Sequence, residues 1–150
     1  MDSKAQGIMD KITALVDTYH SQHHELPALI EMRRDLAVQL FYLSSHVKQV
    51  YGRKALSYVM RKYAIAREIA RAIEDDKAAV KKRPMNQLEA QTEALDHVLQ
   101  RRKEETEREA EHEALTAAID STKQVLAAMQ QEIAVLAYEY KNSHFQNQGR

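Results

Sequence analysis

Residues 81–86 read Lys81-Lys82-Arg83-Pro84-Met85-Asn86, and this short polar turn decides the fold. Pro84 has no amide hydrogen to give and stops the helix before it. Asn86 is a good N-cap, and Glu89 stands three residues on, where a capping-box carboxylate reaches back. The turn separates two long helical segments and folds one back on the other.

On its amino side a helix is expected from about Pro27 to Ala79. Leu29, Leu36, Leu43 and Val50 lie seven apart, and Met32, Leu40 and Val47 interleave them into a coiled-coil stripe. Gly52 interrupts this segment at a cost of about 1 kcal/mol, and the sequence leaves the continuity of the helix there open. On the carboxyl side a helix is expected from about 87 to 142, with no Gly or Pro inside it. Leu115, Thr122, Met129 and Leu136 form one heptad row of this segment, and Ile119, Leu126, Ile133 and Tyr140 form the next. Residues 143–150, SHFQNQGR, read as a frayed tail. A shorter first helix over about 3–22 carries Ile8, Ile12, Leu15, Val16 and Tyr19 on one face and ends before Pro27. The expectation is one all-α domain over 1–150. It is a long antiparallel, coiled-coil-like helical hairpin with a shorter N-terminal helix.

Composition agrees with that expectation. Three Gly, two Pro and no Trp in 150 residues favour long helices packed through small and medium side chains. The absence of Cys excludes disulfides, thiolate metal sites and Cys nucleophiles. No apolar run approaches the roughly 20 residues of a membrane span, and the N-terminus lacks a signal-peptide pattern. The cytoplasm is the expected location, with no membrane partner.

The formal charge is zero, but it is unevenly spread. Residues 47–84 carry eleven Lys and Arg against four Asp and Glu, whereas residues 85–115 carry four against nine. In an antiparallel hairpin Arg53 and Lys54 face the region of Glu113, and Arg61 and Lys62 face Glu104 to Glu107. The heptad seam over 115–140 then falls opposite the leucine seam of the preceding helix. The apolar residues of 55–73, in contrast, face the polar stretch Gln100–Glu113 and need another cover. This predicts a homo-oligomer, a dimer or higher, with Leu56, Val59, Ile65, Ile69 and Ile73 at its interface.

No catalytic constellation emerges. His20, His23 and His24 precede Glu25 and Pro27 in a near miss to a zinc-protease helix, but Ala28 stands where a second ligand belongs. Glu109 and His112 have the spacing of a di-metal carboxylate motif, but the motif occurs once, in the most polar stretch. Three isolated glycines build no phosphate loop. The chain is expected to be non-enzymatic, with no metal and no cofactor.

The basic stretch is the best functional candidate. Arg53, Lys54, Arg61, Lys62, Arg67, Arg71, Lys77, Lys81, Lys82 and Arg83 are interleaved with tyrosines, among them Tyr58. Cations at this density neutralise phosphates, and aromatic rings stack on unpaired bases. The competing reading makes the tyrosines core and pairs the cations with Glu104–Glu113, each surface pair worth about 0–1 kcal/mol. That pairing reaches Arg53 to Lys62 more readily than the cluster from Lys77 to Arg83 at the hairpin tip.

The layout resembles the UvsY-like family of bacteriophage recombination mediators. The features that carry the resemblance are a basic, Tyr-containing helix (RKALSYVMRKYAIARE), the turn KKRPMN and a returning helix that opens with NQLEAQTEA. The resemblance implies an oligomer that binds single-stranded DNA and helps a recombinase displace a single-strand-binding protein. The leading expectation is therefore an oligomeric nucleic-acid-binding accessory protein. The alternative is a phage-borne helical adaptor or inhibitor that engages a host protein through residues 55–73.

Overall fold

The computed structural model of the protein describes residues 3–148, with side chains through Ser143. Four α-helices follow one another: α1 (Ser3–Ser21), α2 (Leu26–Asp75), α3 (Met85–Glu93) and α4 (Asp96–Gln148), with a 3-10 turn at Asp76–Ala78. No strand occurs among the described residues, and none of their helices is long and apolar enough to cross a membrane. The chain divides into two compact units, residues 1–47 with 114–150 and residues 48–113. Helices α2 and α4 each contribute to both.

The first unit holds the larger core. The α2 seam is buried at Leu29, Leu36 and Leu43, and the α4 seam at Leu115, Ile119, Thr122 and Met129. Helix α1 adds Ala5, Ile8 and Ile12, the face its periodicity marked. Tyr19 donates its hydroxyl hydrogen to Glu132 at 3.0 Å, tying α1 to α4. Thr122 is buried without penalty because its hydroxyl returns to the Ala118 carbonyl at 2.7 Å. The chain enters α2 through Leu26 and Pro27, where proline fits a first helical turn.

The second unit is built around the turn. Leu88, Thr92 and Val98 are buried near the turn, and Val50 is buried at the far end of the unit. Helix α2 passes Gly52 without a break. It ends at Asp75, short of the expected Ala79, because Asp76 turns its carboxylate onto Arg83. Helix α3 is capped by Pro84, in extended geometry and with no side-chain cap, rather than by Asn86. The amides of Gln87 and Leu88 return to the Pro84 carbonyl instead, and Asn86 lies inside the first turn.

The helix expected to run unbroken over 87–142 is divided at Ala94 and Leu95. A continuous helix would extend the Leu88–Thr92 stripe to Leu95 and Leu99. The break rotates the register, so that Val98 is buried while Leu95 and Leu99 are exposed. No Gly or Pro announces it. At the other end α4 continues to Gln148, so most of the expected tail is helical, and residues 149–150 lie outside the described ones.

Candidate functional site

Within the second unit α2 and α4 run antiparallel. Tyr51 meets the His112 ring at 5.6 Å, Lys54 pairs with Glu109 at 2.8 Å, Arg61 pairs with Glu105, and Glu68 faces His97 at 3.6 Å. Residue numbers rise along one helix and fall along the other. The expected facing of cations and carboxylates is present, although Lys54 meets Glu109 about one turn away from Glu113.

These contacts divide the basic residues singled out above. Lys54 and Arg61 point inward and are neutralised across the hairpin. The Glu109 carboxylate is held below its ordinary value by the hydrogen bond from Lys54, whose ammonium is raised in turn. Arg71 turns to Glu68 and Lys77 to Glu74, each within one helical turn. Arg83 is engaged from several sides. Its side chain donates to Asp76 and to the Gln91 amide oxygen, and its backbone amide also donates to Asp76. Arg53, Lys62, Arg67, Lys81 and Lys82 are exposed and make no ion pair with the described residues. Tyr58 is half exposed, with the Arg61 guanidinium and the Lys62 ammonium each 5.8 Å from its ring centre.

The face of α2 turned away from α4 is apolar. Leu56, Val59 and Tyr63 are 61, 57 and 64% exposed, and Met60 is 39% exposed. Gly52, Ala66 and Ala70 share the face, because 52, 56, 59, 63, 66 and 70 alternate steps of four and three. A β-carbon at Gly52 would meet no atom within 4 Å. Of the expected interface residues, Leu56, Val59 and Ile73 lie exposed, whereas Ile65 and Ile69 are half buried. Helical phase explains the split: Ile65 lies four residues from inward-facing Arg61, and Ile69 four beyond that. Met60 and Tyr63, which sequence reasoning left out, belong to the exposed face. The spacing 56–59–60–63 was the signal for them.

Beside this face a groove of about 240 Å³ opens between α2 and the start of α4. Met60, Tyr63 and Ala64 give it an apolar lining, Arg67 and Arg101 give it cations, and His97 adds an imidazole. Glu68 also reaches it, but its carboxylate is engaged by Arg71 and His97. In the first unit, the His24 imidazole stands 3.1 Å from the Thr18 carbonyl at the end of α1. Among the described residues no group of three or more His, Cys, Asp or Glu is arranged to hold a metal. No known protein family matches the chain, and neither a curated protein nor a solved structure does so.

Proposed function

We propose that the protein is a non-enzymatic helical docking module that presents the outer face of α2, over residues 52–70, to another macromolecule, foremost a protein. The observation that carries this reading is the contiguous exposure of Leu56, Val59, Met60 and Tyr63 opposite the side that packs on α4. Apolar side chains clustered on one exposed helix face mark an interaction surface, whereas singly scattered ones do not. A photo-crosslinking residue at position 56, compared with one at exposed Gln100, tests it in cells of the source organism. A discrete protein adduct from position 56 alone, abolished by Val59→Asp with helicity retained, supports docking. Equal labelling from both positions removes it.

A second reading, the binding of single-stranded nucleic acid, is favoured by exposed cations of the basic stretch that have no ion pair among the described residues, Arg53, Lys62, Arg67, Lys81 and Lys82 among them. It is weakened by the inward pairing of Lys54 and Arg61 and by the engagement of Arg83. A gel shift with single-stranded DNA at low and physiological salt tests it. Salt-sensitive binding that is lost when Lys81 and Lys82 are reversed to Glu would restore it.

A further inference from the structure

We infer that the outer face of α2 receives an amphipathic helix flanked by acidic side chains and supplied by a different protein. This rests on the docking reading and adds the chemistry of the partner. The face offers apolar side chains at 56, 59, 60 and 63, the spacing that meets the i, i+3, i+4, i+7 anchors of a helix laid along it. From Gly52 to Ala70 it is roughly 27 Å long at 1.5 Å per residue, enough for five turns of a partner.

Charge selects among the occupants. Arg53 and Arg67 stand fourteen residues apart on one flank, and Lys62 stands on the other. None of the three has a carboxylate partner among the described residues. Across the groove from Arg67, Arg101 holds only an exposed bond to Glu104 at 3.2 Å. Of the carboxylates on this part of α2, Glu68, which reaches the groove, is engaged by Arg71, and Glu74 by Lys77. The result is an apolar strip edged by guanidinium and ammonium groups in need of anions. Arginine forks bind carboxylates in paired hydrogen bonds, and such complementarity sets partner choice.

A second copy of the same face fits poorly. Two such faces laid together set Arg53, Lys62 and Arg67 against their own kind, and like charges across an interface are repulsive. The chain's acidic segment is also unsuited as the occupant: Gln100–Glu113 contains Ala110 as its only hydrophobic residue and presents no anchors. A nucleic acid would meet the same cations, but the strip between them is largely aliphatic, with Tyr63 as its one ring.

Three labelled peptides of about 20 residues, long enough to cover the face, test the inference on the full chain by fluorescence anisotropy. All carry leucines at the 3–4 spacing and differ only in Glu, Gln or Lys at the flanks. The Glu peptide should bind at least about tenfold more tightly than the Lys peptide, with the Gln peptide between, and the difference should shrink with salt. Arg53→Glu with Lys62→Glu and Arg67→Glu should reverse the order, a result that loss of folding cannot produce. Equal binding of all three peptides would overturn the inference and leave the docking reading standing. Binding of none would overturn both. Displacement of the Glu peptide by oligo-dT would assign the face to nucleic acid. A dimer in light scattering that Val59→Asp dissociates would assign it to a second copy. Either result overturns the inference.

Discussion

Arg83 closes the helical turn onto Asp76: its Nη2 lies 2.8 Å and its Nε 3.0 Å from the Asp76 carboxylate, and its own backbone amide donates to the same carboxylate at 3.0 Å. One side chain thereby fixes both where α2 ends and where the chain turns toward α3. The contact also withdraws Arg83 from any external anion. Its Nη1 reaches on to Gln91 of α3 at 2.9 Å, so the clasp links both helices of the turn.

The clasp makes the turn acid-sensitive. The Asp76 carboxyl is held below the usual carboxylate range by hydrogen bonds from the Arg83 side chain and amide. Its stabilisation is therefore complete above the unfolded carboxyl value, near 4, and is lost as the pH falls through the lower folded value. Asp76→Asn should abolish this dependence. The protection of the amides of residues 79–83 and 85–88 against hydrogen exchange, taken relative to the intrinsic rate at each pH, should fall in the native chain only below about pH 4 and should be low in the variant at every pH. Exchange that is identical in the two proteins would remove the clasp.

The antiparallel register can be checked by charge reversal. Lys54→Glu should lower the melting temperature by placing like charges beside Glu109, and Glu109→Lys in the same chain should restore much of the loss. The same exchange between Arg61 and Glu105 should couple more strongly, because both of those side chains are less exposed. Additive effects at both pairs would refute the register.

Leucines of the same helix should differ sharply in their cost. Leu36→Ala empties a fully buried seam position and should destabilise by about 2–5 kcal/mol. Leu56→Ala, at a position 61% exposed, should change stability by no more than about 0.5 kcal/mol while weakening docking. Urea unfolding of the two variants separates seam from surface.

Gly52→Ala should stabilise the chain by about 0.5–1 kcal/mol, since the glycine is helical and the added methyl meets open space. A drop in stability on thermal melting would mean that α2 does not run straight through this position. Stabilisation accompanied by weaker peptide binding would place a close backbone approach of the partner at Gly52.

Much of this architecture was legible in the sequence. The sevenfold spacing of Leu29, Leu36 and Leu43, and of Leu115, Thr122 and Met129, marked the residues that are buried, because heptad spacing returns to one side of a helix whatever packs against it. The opposing charge runs foretold the pairing of α2 with α4, and Pro84 foretold the turn. The break at Ala94 was not legible. It has no local signal; beyond it Val98 is buried, as Leu88 and Thr92 are, whereas Leu95 is exposed. Asn86 was misleading as a cap because Pro84, already extended, supplies its carbonyl to the first amides of α3.

The candidate surface divides in the same way. Composition and periodicity by themselves determined that the chain is helical, that residues 55–73 carry more apolar side chains than one seam needs, and that cations lie among them. Only the tertiary structure decided which side of α2 turns to α4. That choice places Lys54 and Arg61 against carboxylates, half buries Ile65 and Ile69, and leaves Leu56, Val59 and Tyr63 exposed beside Arg53 and Arg67. The physical reason is rotational. A helix carrying polar and apolar residues over most of its circumference has no single inward face of its own, and its facing is fixed by the contacts its neighbour offers.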